Sequence, residues 1–404
     1  MSFWIATALS SSLAATWTVG TDAPTIQATI ELASEGDTVV LPAGDWPGPV
    51  VLDKALTLSS DEGVLDGLGQ GHALVVNAPG SRIEGLRVKN SGRDLATADA
   101  CIHLGPEALG TVVRGVEAWD CLFGIWVHET DGAVLEDNRV RGLRGEHNSR
   151  KGNGIHLFDA SDLVVRGNQV RDSRDGVYVS ATEDSLIEAN TAEHVRYGIH
   201  YMYSYDNVIR ENVVRHCSGG IALMQSRNLV VEHNVSTDNT RQGILFRDAQ
   251  YSRIANNVVE RNGEGMFFFS SLDNEIVDNR VADNEIGFRI WAGTYRNTVR
   301  GNAFIGNRQQ IYYVASEDQV WEGESGGNYW SDYLGWDQDG DGRGDRPYAV
   351  DSLVARLLYQ APAAVLLLNS PTLELLQRMQ RMLPAVRVPT VIDSQPLVRA
   401  PEQP

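Results

Sequence analysis

The 404-residue chain reads as all-β, a right-handed parallel β-helix of about eleven coils with an N-terminal helical cap and a C-terminal helical tail. Three observations predict it. A Gly-apolar-x-apolar opening recurs at Gly124, Gly154, Gly176, Gly198, Gly220, Gly243, Gly265 and Gly287, stepping 22, 22, 22, 23, 22 and 22 from Gly154 onward. About fourteen residues after each opening stands an asparagine before an apolar residue: Asn138, Asn168, Asn190, Asn212, Asn234, Asn257, Asn279 and Asn302. The openings alternate with strand period, as in "GIHLF" and "GVYVS". Self-similarity at this period means a solenoid, and the rungs lack both the LxxLxL spacing of leucine-rich repeats and a helix-length apolar face.

Taken in order, residues 1–15 ("MSFWIATALSSSLAA") are uncharged, apolar and end in small residues, which predicts a secretory signal peptide, although a basic start is missing. Residues 16–70 are expected to form the cap and first strands. Within them Ile26, Ile30 and Ala33 share a helical face that would plug the open end of the solenoid. Residues 71–322 carry the coils. Cys101 and Gly71 extend the opening column upstream, Gly115 and Gly85 extend the Asn column, and a last imperfect rung begins at Gln310. The opening glycines are read as turn residues needing positive φ, and the asparagines as an internal ladder at a left-handed turn. Two coils step 30 rather than 22 or 23, so Lys89–Ala98 and Arg141–Lys151 should project as loops.

The formal net charge is −19, which opposes phosphate backbones and anionic lipid and argues against nucleic-acid binding. Three cysteines leave at least one unpaired. Cys121 and Cys217 share a column four coils apart, too far to bond, so buried free thiols are expected.

Alternation within the openings places positions one and three after the glycine in the core, Met266 among them, and positions two and four outside. The outward set is unusual for solvent: Trp126, His128, His156, Phe158, Tyr178, His200, Met202, Met224, Arg247, Phe267, Phe269, Arg289 and Trp291, with His103 one coil upstream. A contiguous aromatic, His and Met stripe marks a binding surface, and Trp126, His128, His156, Phe158, Tyr178, Phe267, Phe269 and Trp291 are its candidate partner contacts. Within it, His200, Met202 and Met224 fall on adjacent coils, and thioethers with imidazole select monovalent copper. His194 and His216 form a second stacked pair and a weaker copper candidate.

Residues 323–350 hold an acidic turn. Asp337, Asp339 and Asp341 alternate, Arg343 follows at the seventh position and Asp345 at the ninth, as in the first nine positions of a calcium loop. Tyr348 stands where that loop has its bidentate Glu. Residues 351–404 form a helical and extended docking tail: 351–383 return to helical periodicity, with Leu375, Leu376, Met379 and Met382 on an apolar face suited to docking, and past Pro384 the chain is proline-spaced, polar and expected to be extended.

The coils, the block "GNYWSDYLGWDQDGDGRGDRPY" and the following "LLLNSPTLELLQRMQRMLP" together resemble the NosD family, accessory proteins of nitrous oxide reductase maturation. The coil repeats alone are shared with many carbohydrate-active, pectate-lyase-like (CASH-type) β-helices; the acidic block and tail are more specific. The resemblance implies a periplasmic location and assembly with an ABC transporter made of an ATPase (NosF) and a membrane subunit (NosY). It also implies a role in delivering copper, handed over by the chaperone NosL, to the copper–sulfur site of the reductase. It carries no agreed ligand set, so the copper candidates rest on the stripe.

Two other readings compete. A polysaccharide-modifying enzyme would use the same face for sugars, but glycoside hydrolysis needs paired carboxylates, and positions two and four hold none in the coils above. A scaffold that binds reductase and chaperone without touching copper predicts the same stripe as a protein interface.

Overall fold

The computed structural model describes residues 14–291, 293–314, 318–321, 326–350 and 390–401, with the single positions 370, 371 and 375. Three parallel sheets of thirteen, twelve and thirteen strands run along a β-solenoid, each strand paired with its counterpart one coil away. The first sheet runs from Thr16–Thr18 to Thr298–Arg300, the third from Gly44–Pro47 to Tyr329–Trp330. The second, from Val50–Leu52 to Gln309–Val314, is built from the repeat openings. At about 4.8 Å per coil the rod is roughly 60 Å long.

Eleven coils was an undercount; the solenoid has about fourteen turns. The additional turns come from residues 16–70, where Thr16–Thr18, Thr38–Leu41 and Thr57–Ser60 already occupy successive places in the first sheet. These coils alternate apolar and polar residues but lack the glycine and asparagine markers, so the repeat is invisible there. The expected helix exists as Ile26–Leu32, with Ile26 and Ile30 buried and Thr25 Oγ1 accepting from the Ala28 N–H at 3.1 Å. Its C-terminal carbonyls are neutralised by Lys54, whose Nζ donates to the oxygens of Ile30, Glu31 and Ala33. It packs beside Thr38–Leu41 and Val50–Leu52, following Thr16–Thr18, the first strand of the first sheet, as part of an early coil rather than as a separate cap.

The other end closes with strands. Val391–Asp393, in the stretch past Pro384 expected to be extended, pairs in parallel with Gln319–Trp321 and antiparallel with Tyr348–Ala349. Most of the expected helix over 351–383, including Leu376, Met379 and Met382, lies outside the described residues, as does residue range 1–13; Leu375 is exposed.

The asparagine ladder is present, but for a different reason. Each Nδ2 donates to the Oδ1 of the next asparagine at 2.8–3.0 Å, from Asn138 through Asn302 to Asn328. The left-handed backbone falls one residue earlier, at Asp137, Gly167, Ala189, Glu211, His233, Asn256, Asp278 and Gly301. Gly85 and Gly115 belong to that column, since Arg114 pairs with Glu136, one residue before Asp137. The ladder ends on Asp393, fully buried, whose Oδ2 accepts from the Asn328 N–H (2.7 Å) and Trp330 Nε1 (2.9 Å). A second ladder, Asn239–Asn262–Asn284–Asn307, runs beside it and went unread in the sequence.

The opening glycines are likewise explained differently. None has positive φ; each lies where a side chain would strike the neighbouring coil. A Cβ on Gly124 would lie 2.4 Å from the Gly154 carbonyl oxygen and 2.3 Å from Val140 Cγ1. Gly124→Ala should therefore cost about 1–3 kcal/mol through overpacking, read as a lower urea midpoint. Upstream, Leu74 pairs with Ile102, and Ile102 with Ile125, so Ala73 rather than Gly71 fills the opening slot.

Two of the cysteines are bonded. Cys101, at an opening slot, and Cys121, in the turn before the next opening, form a disulfide with Cα atoms 5.6 Å apart, because adjacent coils bring those slots together. Cys217 is free and buried, and burial pushes its thiol up to about 11. The two long loops meet over the second sheet, where Ala98, Ala100, Leu122, Phe123 and Leu143 form a satellite apolar cluster against Trp126.

Candidate functional site

The outward face of the second sheet carries the stripe. Positions one and three are core, including Met266 at 0% exposed, and the residues between them face away from it. Strict pairing from coil to coil turns the outward columns into ring stacks. Trp126 lies 4.6 Å from both His103 and His128, and His72, from the corner before its strand and out of register with the column, stacks on His103 at 4.4 Å. Tyr178 presents edges to His156 (4.8 Å) and His200 (5.0 Å). His72 was missed because it stands at the corner one residue before the Ala73 slot, outside the outward columns.

The N-terminal part of this stack is dry. The inserted loops bury both ring nitrogens of His103, Nε1 of Trp126 and Nδ1 of His156 without hydrogen-bond partners among the described residues. Burial, reinforced by His72 and His128, pushes His103 down to about 3. Burial pushes His156 down to about 4, with Asp175 opposing. Phe158, at 37% exposed, marks the outer edge of the roofed part.

His200 differs. It is 6% exposed, and its Nδ1 lies 2.9 Å from Asp175 Oδ2. Asp175 is fully enclosed and takes Arg196 as a bidentate partner, Nε at 2.8 Å and Nη2 at 2.6 Å. Burial would raise the Asp175 carboxyl, but the Arg196 and His200 hydrogen bonds outweigh it and hold it at about 2. The other ring nitrogen, Nε2, is buried with no partner among the described residues. On the same strand and the same face stands Met202, half-buried, in register with half-buried Met224 on the next coil. The three copper candidates thus share one patch: one free imidazole nitrogen beside two in-register thioethers. Asp175 and Arg196 were not legible, because period-two alternation stops at the corner before the opening glycine.

Beyond Met224 the face opens into a groove of about 680 Å³ lined by Leu245, Arg247, Phe267, Phe269 and Trp291. Arg289 lies over the rings of Trp291 (4.9 Å), Phe267 (5.3 Å) and Tyr312 (5.4 Å) and is paired with Glu264. The stripe is therefore continuous, roofed at one end and open at the other.

His194 and His216 are exposed and stacked at 5.7 Å with 29° between planes, at the ends of third-sheet strands. Lone pairs lie in the ring planes, so near-parallel stacking does not make them converge on one ion. At the acidic turn, carboxylate oxygens of Asp337, Asp339 and Asp341 lie within 4.8 Å of one another. Asp337 also accepts from the Gly340 and Gly342 N–H groups, Asp345 from Gln338 N–H, and Arg343 reaches Gln395 Oε1 at 2.7 Å. The turn is thus held by its own backbone and by the chain end.

Asp175 and Glu264, two carboxylates of this face, are each neutralised by an arginine and sit four coils apart, about 19 Å. A glycosidase pair needs roughly 5–10 Å. Among the described residues no helix is long and apolar enough to cross a membrane.

The family described as "Periplasmic copper-binding protein (NosD)" matches residues 142–335. A "Probable ABC transporter binding protein NosD" of Pseudomonas aeruginosa is 50% identical over 376 residues, 89% of this chain and 88% of the relative. The protein of the same description from Stutzerimonas stutzeri is 42% identical over 379 residues, 90% and 87% of the two chains. Among solved structures, the A-module of the Azotobacter vinelandii mannuronan C-5 epimerase AlgE6 superposes with a TM-score of 0.51 at 17% identity, over 72% of this chain and 91% of that one. That likeness shows the fold alone.

Proposed function

The chain belongs to the NosD family, periplasmic ABC-transporter-associated accessory proteins of nitrous oxide reductase maturation, and we propose that within this non-catalytic role it carries monovalent copper on the outward face of its second sheet. The ligands are His200, Met202 and Met224. The observation that carries the assignment is the in-register Met202–Met224 pair beside the unpartnered Nε2 of His200. Two thioethers and one neutral imidazole form a soft set without carboxylate, which favours Cu(I) over Zn²⁺ or Ca²⁺. Copper here is cargo, held transiently and passed on toward the copper–sulfur site of the reductase.

The stripe on either side of the patch provides the protein contacts. Trp126, His128, His156, Phe158 and Tyr178 flank one end; Phe267, Phe269 and Trp291 flank the other, beside the open groove. In this reading the chaperone NosL and the reductase engage this face. The tail bearing Leu375, Leu376, Met379 and Met382 engages the transporter subunits NosF and NosY. A calcium-type ion at Asp337, Asp339 and Asp341, with Arg343 and Asp345 in the same turn, would pin the turn and do no chemistry.

Titration of Cu(I) against a chromophoric chelator tests the site. Wild type should bind one ion tightly, and the Met202→Ala, Met224→Ala double variant about a hundredfold more weakly, roughly 2.7 kcal/mol. Equal binding by the two proteins, or none by either, removes the patch as a copper site. In that case the aromatic groove favours the second reading, a scaffold that binds partners without touching copper.

A further inference from the structure

A histidine buried to 94% and already tied to a carboxylate has no structural use for an empty ring nitrogen. Leaving a buried polar atom unpaired costs about 1–3 kcal/mol, and the Asp175–Arg196 pair would hold this corner without it. The surroundings of His200 supply nothing to its Nε2: in register lie Tyr178, which presents a ring edge at 5.0 Å, and Ala222, which has no polar atom. The other nitrogen is committed. Asp175 carries a charge matched by Arg196 and acts as an acceptor, so at 2.9 Å Nδ1 must be the donor. Arg196 Nη2 also approaches Nδ1, at 3.3 Å, but it is a donor itself and points its stronger bonds at the carboxylate. The carboxylate at the shorter distance decides the tautomer.

Resting on the copper assignment above, we propose that Asp175, anchored by Arg196, is the positioning residue of the site: it locks His200 as the neutral Nδ1–H tautomer and leaves the Nε2 lone pair as the one free donor of the ring, ready for Cu(I) beside Met202 and Met224. A carboxylate behind a metal-binding imidazole fixes its orientation and raises its basicity. The corner before the opening glycine therefore serves the face: Asp175 reaches from one coil to orient a ligand on the next.

Two measurements on the full chain test this separately. Without metal, long-range ¹H–¹⁵N correlations of the His200 ring should show the Nδ1–H tautomer in wild type and a mixed or reversed population in Asp175→Asn. With Cu(I) and a competing chelator, Asp175→Asn should bind about ten- to a hundredfold more weakly than wild type, while its far-UV spectrum is unchanged. An Nε2–H tautomer in the wild type overturns the positioning role, and does so even if the variant fails to fold. If Cu(I) binding is lost in His200→Ala but unchanged in Asp175→Asn, positioning fails while the copper reading stands. If the tautomer is as expected and wild type binds no Cu(I), the copper reading fails while the lock stands.

Discussion

Asn234→Ala is expected to destabilise the solenoid by about 4 kcal/mol, because alanine strands buried groups on three successive coils. Asn234 Oδ1 accepts from both the N–H and Nδ2 of Asn212, at 3.0 and 2.9 Å. Its Nδ2 donates to the carbonyls of Ile209 and Glu232 and to Asn257 Oδ1. All three asparagines are wholly buried, so no water replaces these partners. At about 1–3 kcal/mol for each group left unsatisfied, two uncompensated groups are enough to reach the figure. The solenoid is nearly one-dimensional and each coil contacts mainly its neighbours, so the loss weakens a single interface in mid-rod. Urea unfolding should then show a lower midpoint and a broadened or split transition. Amide exchange should accelerate first at Asn212, whose N–H loses its acceptor. A single transition at the wild-type midpoint would mean that the ladder is ornamental and that apolar packing alone holds the coils.

The regular part of the molecule was open to reading because β-solenoid geometry repeats a physical need. From Asn138 to Asn302 each coil must satisfy the same buried carbonyl, and each places an asparagine at the same position. From Gly124 to Gly287 each opening sits close to the next coil and is a glycine. The column is visible from one sequence, but the reason for it is not: Gly124 and its equivalents looked like turn residues, and only the 2.4 Å approach to Gly154 shows that they are spacers. Where the need lapses, so does the signal. Residues 16–70 build coils from alternation alone, and Asp393 completes the ladder from 65 residues beyond Asn328, a separation no local pattern encodes.

The candidate site divides the same way. Met202 and Met224 could be placed side by side because both lie on strands whose register the repeat fixes. Asp175 could not, because it stands at a corner where alternation no longer says which way a side chain points. The Cys101–Cys121 bond escaped for the same reason, one partner lying on a strand and the other in a turn. The loop insertions were located correctly in the sequence. Their effect, to roof the His–Trp stack and leave the Met and groove end open, depends on how they pack against each other.

That roof has a consequence measurable with pH. His103 and His156 have folded pKa values of about 3 and about 4, chiefly through burial, against about 6.5 in the unfolded chain. Both shifts are downward, so the contribution of these groups to stability is full above pH 6.5 and is lost as the pH falls below it. Between pH 6.5 and 5 the unfolded imidazoles go from half protonated to almost fully protonated, while the folded ones stay almost entirely neutral. The slope rises from about half of 1.4 kcal/mol per pH unit per group toward the full value, so the two together remove about 3 kcal/mol over that interval. His72, also lowered by burial, adds in the same direction. Asp175, held at about 2 by Arg196 and His200, contributes only at far lower pH. The urea midpoint should therefore drop steeply from pH 6.5 to 5, and the His103→Phe, His156→Phe double variant should flatten that slope while keeping the rings that fill the stack. If wild type and double variant fall in parallel, the imidazoles are reached by water in solution, and the inserted loops do not close over them as the satellite cluster around Trp126 implies.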